Sequence, residues 1–198
     1  MSNQIETNIT IDYGIRDRLS VALRIFLVVP ILIFASAFSA WSSSSEASSF
    51  TSGLLVLPVI LALLFRGIYP SYVLSFNKAL LALTTRVGAY ALLLHDTYPS
   101  IEESELVKVS FPEIEGGAKL NRYLPLVKWF LAIPLFLVGI VYTLYGLAVL
   151  LFAWISILAT GKLPEKCGNV LLGLIRFWNR IYGYAIVLVT DEYPSFSL

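Results

Sequence analysis

Four short blocks recur in the same order in the two halves of the chain. Arg24-Ile25-Phe26-Leu27-Val28-Val29-Pro30 parallels Lys128-Trp129-Phe130-Leu131-Ala132-Ile133-Pro134, and Gly67-Ile68-Tyr69-Pro70 parallels Gly161-Lys162-Leu163-Pro164. Arg86-Val87-Gly88-Ala89-Tyr90 parallels Arg180-Ile181-Tyr182-Gly183-Tyr184, and Asp96-Thr97-Tyr98-Pro99 parallels Asp191-Glu192-Tyr193-Pro194. Order and near-constant spacing read as a tandem duplication, residues 1–100 and 101–198, in which one unit folds twice by the same rules.

Those units are too apolar for water. Hydrophobic residues make up 58% of the chain, charged residues 14%, and mean hydropathy is +0.79. A soluble domain is nearer half apolar and a quarter charged. The excess lies in long runs, which predicts an all-α integral membrane protein with short extended arms. Ile25 to Phe34 followed by Ala35-Ser36-Ala37 has the outline of a signal peptide. The leader before it carries Glu6, Asp12 and Asp17, unlike a basic leader, so the segment is expected to stay as a helix.

Each half opens on an alternating stretch, Asn8 to Tyr13 and Leu106 to Phe111, whose period of two suggests extended arms able to pair with each other. Next comes an apolar hairpin. Leu124 to Ala159 spans 36 residues with one charge, Lys128. A crossing takes about 20 residues, so the run is expected to fold as two arms turning near Tyr142 to Gly146. In the first half the arms are Leu19 to Trp41 and Leu54 to Phe65, joined by a serine-rich loop, Ser42 to Ser52. Pro30, Pro58 and Pro134 should kink them. Gly67 and Gly161 end the hairpins and Pro70 and Pro164 start the next helices.

The last element of each half is amphipathic. Asn169, Arg176, Asn179, Arg180 and Gly183 share one side of a helix, and Leu171, Leu174, Trp178, Ile181, Tyr182 and Ala185 the other. The first half repeats this more weakly, with Asn77, Lys78, Thr84 and Thr85 opposed to Phe76, Leu80, Leu83, Val87 and Leu94. Such a helix is expected to lie in the membrane interface. On that reading Arg86, Tyr90, Arg180, Tyr184, Arg176 and Trp178 are interfacial anchors, and more sharply a lipid-headgroup site. Trp41, Trp129, Trp154 and Trp178 suit an aromatic belt. Asp96 and Asp191 read as structural polar groups that reach Arg24 and Lys128 at the hairpin bases.

Lys and Arg cluster at the hairpin bases and on the amphipathic helices, and the tips carry none. The positive-inside rule then puts both bases, the termini and the acidic linker Ser100 to Gly117 in the cytoplasm. An alternative has three crossings per half and inverted halves, as in some transporters; it places Arg180 near mid-membrane, at a cost.

Cys167 and His95 are single, so neither a disulfide nor a typical zinc or iron set is expected. The net charge of +1 invites no nucleic acid. No nucleophile–histidine–acid set or phosphate-cradling glycine loop stands out, and no cofactor is implied.

The blocks Leu126 to Pro134, Ala159 to Pro164 and Thr190 to Leu198 resemble an uncharacterised prokaryotic membrane-protein family, a domain of unknown function in the four-thousand-three-hundred series. Both halves are similar to it. The resemblance implies a multipass protein of the prokaryotic inner (cytoplasmic) membrane and transfers no catalytic residues. Where the family often has a histidine after the hairpin proline, this chain has Leu135 and Ile31. The combined expectation is a non-enzymatic accessory or scaffold subunit whose partners are membrane lipids and other membrane subunits or itself. A small transporter or lipid-handling carrier is the alternative.

Overall fold

The two amphipathic helices lie at the centre of the molecule rather than on its surface. These are α4 (Ser71–Ala91) and α6 (Glu165–Ile181) in a computed structural model that describes residues 3–36 and 46–198. They run antiparallel. Leu81 packs with Val187 to Val189, Thr85 meets Asn179, Ala89 packs on Leu171 and Ile175, and Leu93 shares a cluster with Cys167. Asn179 Nδ2 donates to Thr85 Oγ1 at 3.0 Å and to Thr7 Oγ1 at 2.9 Å, a buried polar node where the two helices face each other.

The remaining elements build outward. In chain order they are β1 (Glu6–Ile9), α1 (Arg18–Ala22), α2 (Arg24–Ser36), α3 (Glu46–Arg66), β2 (Val107–Ser110), a 3-10 turn (Glu115–Gly117) and α5 (Leu124–Thr160). A π-helical turn, Tyr182–Val187, prolongs α6. α2 packs antiparallel on α4 through Val28, Ile31 and Ala35 against Leu83, Val87 and Tyr90. α5 packs antiparallel on α6, giving the spatial order α2, α4, α6, α5. The two arms do pair: β1 and β2 are antiparallel, Thr7 opposite Val109 and Asn8 opposite Lys108. β1 lies on α6 and β2 on α4, so each arm covers the central helix of the other half. The division at residue 100 therefore separates two interlocked segments.

α5 corrects the expected second hairpin. It is one helix of 37 residues with no turn at Tyr142 to Gly146. At about 1.5 Å per residue it is roughly 55 Å long. Gly146, at the end of the expected turn, and Gly139 serve close packing. A Cβ at Gly139 would stand 2.9 Å from the Trp178 ring, and one at Gly146 would stand 2.6 Å from Leu174 Cδ2. Thr143 does not break the helix because its hydroxyl donates back to Gly139 O at 2.7 Å. Ala132, Gly139, Gly146 and Ala153 recur at seven-residue intervals, and with Lys128, Leu135 and Ile157 they make a narrow buried seam. A 3.5-residue period keeps one stripe facing a partner helix, and small residues let the backbones approach. The other sides of α5 are apolar and uncovered: Phe130 is 72% exposed, Val141 62% and Phe152 62%.

The first half differs in detail from expectation. α1 and α2 are separate helices instead of one arm from Leu19, and helix begins at Glu46, inside the serine-rich stretch. The expected tip over residues 37–45 lies outside the described residues. Gly161 ends α5 in the left-handed conformation at φ 76°, and α6 begins after Pro164, as the punctuation implies.

Candidate functional site

Helices that end inside an apolar body leave carbonyls without water, and the chain answers this the same way at two places. α4 ends at Ala91, and Leu93 turns the backbone into the left-handed region at φ 60°. The chain then delivers Asp96 to the start of α2. There Arg24 Nη2 lies 2.5 Å from Asp96 Oδ1, its Nη1 donates to His95 O at 3.0 Å, and its guanidinium sits 4.0 Å above the Tyr90 ring. Tyr98 meets Tyr90 edge-on at 5.6 Å.

In the second half Leu188 takes the left-handed turn, at φ 62°. Lys128 Nζ lies 2.6 Å from Asp191 Oδ1, donates to Thr190 O at 2.7 Å, and faces the Tyr184 ring at 5.2 Å. Tyr193 meets Tyr184 edge-on at 5.7 Å. Each cluster thus has a cation, an aspartate, the carbonyl just before it and two tyrosines. Arg24 is 3% exposed and Lys128 is fully buried. Removing one member of a buried pair leaves the other charge uncompensated, which is far more damaging than removing both.

One extra residue separates arginine from aspartate in the second half, Arg180 to Asp191 against Arg86 to Asp96. The π-helical turn absorbs it. Such a turn frees carbonyls, and two aromatic donors take them: Trp129 Nε1 donates to Ala185 O at 2.8 Å and Tyr69 Oη to Val187 O at 2.7 Å. Burial pushes Tyr69 up to about 12, so it remains a donor at neutral pH.

Of the expected interfacial residues, Arg86 and the two tyrosines are buried, Arg180 and Trp178 are half-buried, and Arg176 is exposed. Tyr90 and Tyr184 are buried, 2% and 1% exposed. Arg86 Nη2 donates to Ile101 O at 3.0 Å, and Arg180 donates to Ser197 O, so each arginine clasps the segment that follows its aspartate. Arg176 Nε donates to Thr7 O at 2.9 Å. Trp178 Nε1 donates to Thr143 Oγ1 at 3.0 Å, and Trp154 Nε1 to Val21 O at 3.1 Å. Trp41 lies outside the described residues. Leu135 and Ile31, after the two prolines, are buried core residues.

Arg16, not among the residues the sequence singles out, is 3% exposed and caps the end of α4. It donates to Leu93 O at 2.6 Å, to Leu94 O at 3.0 Å and to Asp12 O, and lies 3.4 Å from Asp96. A cation at a helix C-terminus meets the negative end of its dipole. Only its place just before an apolar run hinted at this. His95, the single histidine, is 5% exposed. Its Nδ1 lies 3.0 Å from Thr97 O, and a carbonyl only accepts, so Nδ1 carries the proton and Nε2 is a bare buried lone pair.

The clusters stand at opposite ends of the molecule. Lys128 is on the first turns of α5, whereas Val21 and Leu93, beside the Arg24 cluster, pack on Ala153 and Ile157 at its far end. About 40 Å of helix separates them. The two basic hairpin bases of the expected topology thus stand at opposite ends of α5. The reason is the uninterrupted α5, which carries its two basic ends apart. Chemically both clusters are closed: each carboxylate is held by a cation, and among the described residues no three His, Cys, Asp or Glu side chains gather as a metal set.

Residues 125–197 match the family model described as a domain of unknown function (DUF4389), in a single copy. The match takes in nearly all of α5, all of α6 and the whole Lys128 cluster. Comparison with curated proteins and with solved structures finds no match.

Two outcomes follow. Asp191→Ala and Lys128→Ala should each lower stability by roughly 2–4 kcal/mol, and the double variant should lose little more than either alone. Thermal melts of the solubilised protein check this; full additivity contradicts the pairing. His95 is held below its ordinary pKa mainly by burial, with Arg24 and Arg16 adding to the effect and the Thr97 hydrogen bond and Asp96 opposing it. The folded state therefore favours neutral imidazole. That stability is present above about pH 6.5 and is lost as pH falls through the lower folded pKa. A melt series from pH 7.5 to 5 should show the decline, and His95→Gln should flatten it.

Proposed function

We propose that this chain is an integral membrane protein built from two diverged copies of one unit, and that it serves without catalysis as an accessory or organising subunit of a membrane assembly. The observation that carries the reading is the surface of α5, the one helix among the described residues long and apolar enough to cross a bilayer. Only its narrow seam is covered, and most of its circumference is large aliphatic and aromatic surface. In water a continuous apolar face of that size drives association; in lipid it is solvated. Exposed Ile25, Phe26 and Ile33 on α2 and Leu57, Leu61 and Phe65 on α3 add to it. α5 exceeds a ~30 Å hydrocarbon core, so it crosses obliquely or projects beyond the headgroups.

Duplication is supported by the paired clusters, the two left-handed leucines and the matching arginine clasps. Absence of catalysis is supported by the occupation of the conspicuous polar groups in holding backbone and each other. One observation favours a second reading, a small carrier. The two halves run in opposite directions about the Thr85–Asn179 contact, and inverted halves are a recurring plan in transporters.

Gentle extraction followed by mass spectrometry tests the first reading. The chain should require detergent, resist a carbonate wash of the membrane and leave it together with other membrane subunits or copies of itself. Recovery as a lone, monodisperse particle in plain buffer contradicts it.

A further inference from the structure

Arg86 is 5% exposed, yet its guanidinium is only partly used. Nη2 grips Ile101 O, whereas Nε is buried without a partner. A buried charged donor left open is costly, and Arg86 is among the residues that line a cavity of about 420 Å³. The same cavity is lined by Lys108 from β2 and by Glu103, Ser104 and Glu105 from the linker. Two cations and two carboxylates thus face one space, and the Glu103 charge is near enough to act on Arg86.

The wall of that cavity has a second side. Residues 103–105 border the polar space, and residues 98–102, one step earlier in the chain, border an apolar groove of about 460 Å³. Across the groove stand Pro30, Ile31 and Phe34 of α2, a helix whose outer face is apolar. The Arg86–Ile101 hydrogen bond pins the strip between the two spaces. Both volumes fall in the range of ordinary small-molecule sites.

A polar space with both signs of charge beside an apolar trough suits an amphiphile whose head carries a phosphate and an amine. From this juxtaposition we propose that the strip 98–105 is the saddle of a zwitterionic phospholipid site. Arg86 and Lys108 receive the phosphate, Glu103 and Glu105 receive the ammonium, and an acyl chain lies along Pro30, Ile31 and Phe34. Phosphate on arginine is among the stronger charge-assisted hydrogen bonds, and the carboxylates discriminate against an anionic head by repulsion. The inference rests on the membrane reading and names the lipid class that this face would take.

The test uses the full chain in a neutral detergent and calorimetric titration with dihexanoyl phosphatidylethanolamine. Dihexanoyl phosphatidylglycerol and free phosphoethanolamine are the comparisons. Phosphatidylethanolamine should bind at least tenfold more tightly than either. Lys108→Met and Glu105→Gln, both at exposed side chains whose loss leaves the core intact, should each weaken it by about tenfold. Equal binding of the two lipids, or unchanged affinity in both variants, overturns the site. Phosphoethanolamine binding as tightly as the lipid assigns the polar space to a free zwitterion and overturns the acyl groove. Because the assay is run in detergent, loss of lipid preference leaves membrane residence standing, whereas a chain that is soluble without detergent removes both.

Discussion

The constraint on which the rest depends is the seven-residue beat of small side chains on α5. Gly139 and Gly146 let α6 approach at Phe177, Trp178 and Leu174, Ala132 meets the π-helical turn at Tyr184 and Ala185, and Ala153 packs with Cys167. That contact uses so little of the helix surface that the remainder stays apolar and uncovered. It also sets the length of the molecule and carries the two cation–aspartate clusters to opposite ends. Even alanine at Gly139 or Gly146 would push against the Trp178 ring or Leu174, and packed cores absorb such overpacking poorly.

A second constraint is the disposal of backbone polarity. α4 and α6 both end within apolar surroundings, where an unpaired carbonyl is expensive. Arg24, Lys128, Arg16, Trp129 and Tyr69 each bring a donor to such a carbonyl. These residues look like site chemistry in the sequence because they are the polar minority in an apolar chain. Their partners are mostly the chain itself. The proposed lipid saddle differs because there Arg86 lines a polar cavity together with Lys108 and two glutamates.

Much of this was legible beforehand. The alternating arms pair in the structure because period two fits a strand and each arm offers an apolar face to a central helix. Asp96 and Asp191 meet Arg24 and Lys128 because a buried charge demands a partner. Glycine and proline mark the ends of α3 and α5 by their backbone preferences. What misled was reading Tyr142 to Gly146 by composition: glycine, tyrosine and threonine together resemble a turn, while the seven-residue interval between Gly139 and Gly146 signals a seam. The tryptophans were read as a belt, and the indole N–H groups of Trp129, Trp154 and Trp178 also bond protein oxygens, since an indole donor suits a headgroup and a freed carbonyl equally well. The extra residue between Arg180 and Asp191 was visible, and its consequence, a π-helical turn, was not.

As a proposed membrane helix, α5 is a single span with lipid against every side but its seam. A nitroxide moved stepwise from Val127 to Ile155 in a bilayer reports it directly, through collision with lipid-soluble oxygen and with a water-soluble nickel chelate. The predicted result is oxygen access across the central turns, with dips recurring at Ala132, Gly139, Gly146 and Ala153. Strong nickel access around Tyr142 to Gly146, the mark of a turn in water, would contradict it.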